Sequence, residues 1–426
     1  MKPYGRNVAI LGGVRIPFAR AQGVYAQRSN QDMLTATLKA LVDKFQLHGE
    51  RLGEVAAGAV LKHARDFNLT REAALSSGLA PETPAFDVQQ ACGTGLEAAL
   101  LIGSKIALGQ IESGIAGGVD TASDAPISVS ENLRRILLDL SRAKNTPARL
   151  KVLSRFRPKD LVPLAPGVSE PRTRLSMGQH CEQMAKEWQI PRTAQDRLAF
   201  ESHHNALAAY DKGFFDDLLV PYSGLTRDNN LRADTTLEKL AALKPAFDKT
   251  HGTLTAGNST PLTDGAAAVL LASDDWASSN GLKPQAYLTA YETAAVDFAG
   301  GRRDGLLIAP AFAVPRLLAR VGYSLQDFDF YEIHEAFAAQ VLCTLKAWND
   351  PKFCAERLGL ARPLGAIDPH RLNVCGGSLG LGHPFAATGA RIIATLAKRL
   401  AQNGGGRGLI SICTAGGMGV AAILEA

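Results

Sequence analysis

Residues 84–119 read PAFDVQQACGTGLEAALLIGSKIALGQIESGIAGGV. Pro84 to Gln89 has strand character and runs straight into Ala91-Cys92-Gly93-Thr94-Gly95. Helical spacing follows from about Leu96 to Leu108, then a Gly-rich apolar strand from Ile111 to Val119. Strand, tight turn, helix and strand make one α/β unit, and the alternation continues outward from it. Upstream, Asn7 to Leu11 and Glu54 to Leu61 read as strands, and Gln31 to Phe45 and Glu72 to Ser77 as helices. Downstream, the strands are Gln285 to Tyr291, Phe328 to Ile333, Gly408 to Cys413 and Val420 to Leu424. The downstream helices are Val314 to Val321, Glu335 to Trp348 and Ala387 to Gln402. Such alternation predicts an α/β layer fold.

The two ends rhyme in pattern, each closing on a Gly-rich loop, a helix and a buried strand. Duplicated α/β halves place a ligand where their loops meet. The expected division is 1–284 for the first half and 285–426 for the second. A mainly helical insertion at about 124–250 breaks the alternation. It carries the Pro-rich run Pro158 to Pro171 and helices at Gln179 to Trp188 and Ala194 to Tyr210.

At 426 residues the chain exceeds what one packed core holds. Hydrophobic residues make up 46% and charged residues 20%, which excludes a disordered or fibrous chain. No apolar run reaches the length of a bilayer span, and Met1 to Arg20 reads as a strand and turn without secretory features. A cytoplasmic protein is expected. None of the six cysteines forms a C-x-x-C pair, so neither a metal site nor a disulfide scaffold is expected. The net charge is +5, yet residues 134–160 alone hold nine Lys or Arg against Asp139 and Asp160.

Four places offer chemistry. Cys92 lies where a helix begins, and free N–H groups there favour a thiolate; the alternative is a small buried hydrophobe. His383 lies in the loop GGSLGLGHPFAATG, residues 376–389, where glycines let backbone approach a ligand. Cys413 ends a strand before a Gly-rich turn whose N–H groups suit an oxyanion, or which serves only as a tight turn. His334 follows an apolar strand, as a hydrogen-bonding group or as a cap. Gly93-Thr94-Gly95 also mimics a dinucleotide motif, with Asp120 its only acid, farther on than usual.

Together these elements resemble the thiolase family, nearly end to end. The resemblance rests on Arg15-Ile16-Pro17-Phe18, Cys92-Gly93-Thr94-Gly95, Ser176-Met177-Gly178, Thr255 to Asn258, Asp264 to Ala267, His334-Glu335-Ala336-Phe337, Gly382-His383-Pro384 and Cys413 to Gly419. His334 where most members have Asn is similar to the branch containing the β-subunit of the fatty-acid β-oxidation trifunctional complex. The basic insertion, Asp228-Asn229-Asn230 to Arg232, and Leu243 to Phe247 are similar to it too.

The resemblance implies duplicated halves in an αβαβα core and cleavage of 3-ketoacyl-CoA by CoA, with no tightly bound cofactor and no metal. Cys92 would be the nucleophile, His383 its base and an oxyanion donor, Cys413 the second acid and base, and His334 the holder of an oxyanion-hole water. Backbone N–H groups of Cys92 and Ala415 would bind the tetrahedral oxygen. Met177, Ala256, Thr260 and Phe337 would line the substrate channel. Thr260 replaces a common Ser and would donate the same hydrogen bond to the pantetheine. Ala415 stands where the family often has Gly. Partners implied are a second copy or a tetramer, a hydratase/dehydrogenase subunit, and a membrane surface touched through 134–160; no nucleic acid is implied. The competing readings are an acetoacetyl-CoA thiolase running in the condensing direction, a ketoacyl synthase (which Cys413 argues against), a non-catalytic CoA or lipid carrier, and an NAD dehydrogenase.

Overall fold

A computed structural model describes residues 5–167, 169–302 and 304–426. The start of the Met1 to Arg20 stretch and Val168 of the Pro-rich run lie outside them.

Among the described residues the strands are β1 (Ala9–Arg15), β2 (Ala19–Arg20), β3 (Glu54–Ala57), β4 (Ala85–Asp87), β5 (Ser113–Asp120), β6 (Thr263–Ala272), β7 (Ala286–Ala295), β8 (Phe330–Ile333), β9 (Arg407–Thr414) and β10 (Met418–Glu425). They run in the order β4-β3-β5-β6-β1-β7-β10-β9-β8, with β2 on β6. About the β1–β7 seam the order is mirrored, β6 with β10, β5 with β9 and β3 with β8, and β4 extends the first half by one strand. β3 pairs parallel to β5 as β8 does to β9, and β5 pairs antiparallel to β6 as β9 does to β10. The halves meet in the sheet at Ala9–Tyr287 and Ile10–Ala286.

Three apolar clusters fill the gaps between five layers. The first lies outside the first half-sheet, where Met33, Leu34, Leu38 and Leu41 of helix Asn30–Phe45 meet Val55, Ile115 and Leu270. The middle cluster holds helices Thr94–Ala107 and Thr388–Gln402, with Val269 and Leu271 on one side and Ile410, Ile412 and Val420 on the other. The third backs the second half-sheet with helices Pro310–Val321 and Ala338–Asn349. The two central helices approach closely at glycines: a Cβ on Gly389 would lie 2.1 Å from Leu96 N, and one on Gly95 2.6 Å from Ala386 O.

Strand β6 has no counterpart among the strands expected from the sequence. Both its faces are buried, Ala266, Ala268 and Leu270 outward and Ala267, Val269 and Leu271 inward, so it shows no alternation to read. Strand β3 ends at Ala57, short of the expected Leu61. The N–H groups of Val60 and Leu61 leave the ladder to donate to the Asp120 carboxylate at 2.9 and 2.8 Å. Helix Ala338–Asn349 starts three residues after Glu335, leaving His334 to Phe337 as a buried loop.

Where β9 joins β10 through Ala415–Gly417, β5 joins β6 through residues 121–262, the inserted region. Its helices Met177–Glu187 and Arg192–Asp211 pack on the second half. Asp228 pins it to the core, accepting from Arg15 Nη1 and Nη2 at 2.5 and 2.6 Å, Phe18 N at 2.6 Å and Tyr210 at 2.7 Å. Asn230 Nδ2 donates to the carbonyls of Leu379 and Gly380. Among the described residues, no helix is long and apolar enough to cross a membrane.

Candidate active site

Cys92 and His383 occupy equivalent places in the two halves, each just before one of the two central helices. Ala91 takes φ +47°, an uncommon conformation for a residue with a Cβ. It turns the chain sharply from β4 and leaves Cys92 partly exposed at the head of helix Thr94–Ala107. Gly382, at φ +110°, sets the matching turn before His383.

The two side chains meet. Cys92 Sγ lies 3.2 Å from His383 Nε2, and His383 Nδ1 lies 2.6 Å from Thr388 Oγ1. His383 N–H donates to Thr263 Oγ1 at 2.8 Å, fixing the loop against the start of β6. Burial holds the imidazole neutral, with Arg391 adding to the effect, and lowers its pKa to about 3. Burial likewise pushes the Cys92 thiol up to about 12, against the pull of N–H groups from Ala415 and from Cys92 itself. Desolvation thus opposes the pull of the helix start and its N–H groups, and favours a thiol beside a neutral imidazole.

Those same two N–H groups line the sulfur from both halves. Ala415 sits in the β9–β10 turn, whose Gly416 and Gly417 both have positive φ, and Glu170 of the insertion accepts from Gly416 N at 2.7 Å. Cys413, at the end of β9, is buried, and burial with the neighbouring Cys92 raises its pKa well above the ordinary thiol range. His334 is buried, its ring 4.1 Å from that of His383 and tilted by 46°. One ring nitrogen of each histidine and Cys92 Sγ lie within 4.8 Å of one another.

Residues 258–263 run between these loops. Ser259 bridges to Phe337 and Leu262 to His383, and Thr260 N donates to Ala336 O at 3.1 Å. Thr260 Oγ1 also donates to Ala336 O, at 3.0 Å, so its lone pairs rather than its proton face outward. Phe337 packs edge-on against Phe247, and Gly178, next to the half-buried Met177, leaves the space Phe247 fills. Ala256 is exposed.

The dinucleotide reading of Gly93-Thr94-Gly95 fails on this geometry. Gly95 is small because Ala386 and Ala390 press against it. Asp120 binds no sugar: it is buried and accepts N–H groups of Val60, Leu61 and Ala386. It thereby ties the strand end to the turn after His383.

A family model described as the thiolase N-terminal domain matches residues 8–275, and one described as the thiolase C-terminal domain matches 282–426. The chain belongs to the thiolase family. It is an acyltransferase by that membership. It is 43% identical to the 3-ketoacyl-CoA thiolase of Pectobacterium carotovorum, covering 99% of this chain and 97% of that protein. Identity to the 3-ketoacyl-CoA thiolase of Shewanella baltica strain OS185 is 42% over the same shares. Among solved structures, human mitochondrial 3-ketoacyl-CoA thiolase superposes with a TM-score of 0.81 at 29% identity, covering 99% of both chains. The acetyl-CoA acetyltransferase of Bacillus anthracis gives 0.81 at 32%, again over 99% of both chains.

Four residues of this thiolase site escaped the sequence reading: Thr388, Asp120 in its structural role, Ser378 and Arg391. Thr388 carried a readable signal, a hydroxyl five positions after His383 at a helix start. The other three are legible only once residues far apart in sequence are brought together.

Proposed function

We propose that this thiolase cleaves 3-ketoacyl-CoA with CoA, yielding acetyl-CoA and an acyl-CoA two carbons shorter, as the names of its bacterial relatives suggest. The observation that carries the reading is the Cys92–His383 contact, with N–H groups of Cys92 and Ala415 on the sulfur. In this mechanism Cys92 attacks the 3-keto carbon and its proton passes to His383 Nε2. The neutral pair suits the step, since charge forms only as the carbon–sulfur bond does. The tetrahedral oxygen takes the two N–H groups. The bond between carbons 2 and 3 then breaks. Its electron pair leaves as the acetyl-CoA enolate, whose oxygen faces His383 and a water held by His334. Cys413 protonates the enolate carbon. It then takes the thiol proton of incoming CoA, whose sulfur displaces the acyl group from Cys92, and His383 returns its proton to the departing sulfur.

CoA enters here as substrate, without a tightly bound cofactor. Met177, Ala256, Thr260 and Phe337 serve as channel residues in this reading, with Thr260 offering a hydrogen-bond acceptor. Two functional halves, 1–284 and 285–426, are supported by the mirrored strand order. A homodimer or tetramer is supported by β4, a half-buried strand at the sheet edge. Six free cysteines fit a reducing, cytoplasmic setting.

The basic stretch 134–160 forms helices Glu131–Arg142 and Thr146–Leu153, and Leu137, Leu138, Leu150, Leu153 and Phe156 are exposed among its cations. Apolar side chains held in water beside positive charge support docking to a hydratase/dehydrogenase subunit or an anionic membrane surface.

The test is CoA-dependent cleavage of 3-ketoacyl-CoAs of several chain lengths, with Cys92→Ala as control. Cleavage that vanishes in the variant is expected. Activity confined to acetoacetyl-CoA would favour the condensing role. No cleavage at any length would refute the proposal.

A further inference from the structure

His334 stands between the reacting atoms and a buried polar cluster. Its Nδ1 lies 2.9 Å from Ser378 Oγ, and Arg391 Nη2 donates to the same oxygen at 3.0 Å. All three side chains are buried, and these two contacts are the hydrogen bonds of the Ser378 hydroxyl among the described residues. A guanidinium can only donate. Ser378 Oγ therefore accepts from Arg391, and His334 Nδ1 is the acceptor within reach of its own proton. The opposite arrangement, with Nδ1–H donating to the serine, would strand that buried hydroxyl proton.

The other ring nitrogen, Nε2, is buried and has no partner among the described residues. A neutral imidazole carries one hydrogen. With Nδ1 accepting, that hydrogen is on Nε2, the nitrogen turned away from Ser378 and left to the space shared with His383 and Cys92. Burial, the neighbouring His383 and Arg391 all disfavour a second proton.

We propose that Ser378 and Arg391 are positioning residues that hold His334 as its Nε2–H tautomer, so that it meets the enolate oxygen or its water as a hydrogen-bond donor. This rests on the thiolase reading above and names how one donor of that site is aimed. Arg391 is itself held for the task. Its Nη1 lies 3.6 Å from the buried Glu332 carboxylate, and its Nε and Nη1 make no hydrogen bond among the described residues. The Ser378 oxygen is thus the guanidinium's hydrogen-bond anchor.

The experiment is nitrogen NMR on protein labelled at its nine histidines, with His334→Asn to assign the signal, alongside kinetics of Ser378→Ala and Ser378→Thr. In the unsubstituted protein His334 should show an unprotonated Nδ1 and a protonated Nε2. In Ser378→Ala the tautomers should mix and kcat fall on the order of 100-fold, as for loss of one oxyanion donor. KM for CoA and the rate of Cys92 alkylation should hold, and Ser378→Thr should restore most of kcat. A protonated Nδ1 or a charged ring in the unsubstituted protein overturns the proposal. So does a Ser378→Ala enzyme whose tautomer shifts while kcat stays. Should the protein cleave no 3-ketoacyl-CoA, the substrate reading fails while the NMR still decides the tautomer, and a misfolded Ser378→Ala leaves that same spectrum to decide it.

Discussion

Thr388→Val tests the site most directly. The substitution keeps the shape of a buried side chain and removes the oxygen 2.6 Å from His383 Nδ1. With Nε2 facing the Cys92 thiol, the neutral ring must carry its hydrogen on Nδ1 to accept the thiol proton. Valine leaves that hydrogen without a partner in a buried pocket, at a cost of about 1–3 kcal/mol. The ring can escape the cost by moving the hydrogen to Nε2, and it then cannot accept from Cys92. Either way the barrier to attack rises, and about 1–3 kcal/mol corresponds to roughly 5- to 150-fold in rate. The loss should fall on kcat, with KM for CoA nearly unchanged, because the hydroxyl acts on proton transfer rather than binding. Steady-state thiolysis, followed by loss of the 3-ketoacyl-CoA absorbance, measures both constants. Thr388→Ser keeps the oxygen and should retain most of kcat. If Thr388→Val kept more than half of kcat in folded protein, the orientation argument would be wrong, and with it the view that His383 acts as a single fixed tautomer.

Three further outcomes are expected. Since burial raises the Cys92 pKa to about 12, the thiolate grows only as pH rises; Cys92 alkylation by iodoacetamide should climb roughly tenfold per pH unit from neutrality upward, and a plateau already reached below pH 8 would mean a resting thiolate–imidazolium pair. Gly389→Ala should unfold or strongly destabilise the chain, its Cβ falling 2.1 Å from Leu96 N, whereas Gly167→Ala, with nothing within 4 Å, should melt like the parent; equal melting curves would contradict the close approach of the central helices. Changing Arg149, Lys151, Arg155 and Arg157 together to Glu should weaken co-sedimentation with anionic vesicles or capture of the hydratase/dehydrogenase subunit without altering thiolysis, and no change in either would remove the docking role of 134–160.

Much of this site is local, and local features are what a sequence displays. Cys92 stands out because the tight strand-to-helix turn that holds it needs small residues around it. His383 does so because its loop must bend through glycines. Even the order of the motifs was legible. The secondary structure was readable where one face of an element meets water, as in helix Asn30–Phe45, and unreadable in β6, where both faces are buried. The loop at His334 to Phe337 reads as part of the following helix because nothing local marks its irregular backbone. It is held by partners from elsewhere: Glu335 accepts from Ser202, Asn373 and Leu379.

The sequence by itself determined the α/β class and the family motifs, since turn chemistry and hydrophobic period act over a few residues. The tertiary structure decided the surroundings of those residues. Burial favours a thiol at Cys92 and a neutral imidazole at His383, Thr388 and Ser378 lie within hydrogen-bond distance of the His383 and His334 rings, and Asp120 and Asp228 tie distant segments together. Desolvation and hydrogen-bond direction depend on every neighbour in space, and most of those neighbours arrive from the other half of the chain.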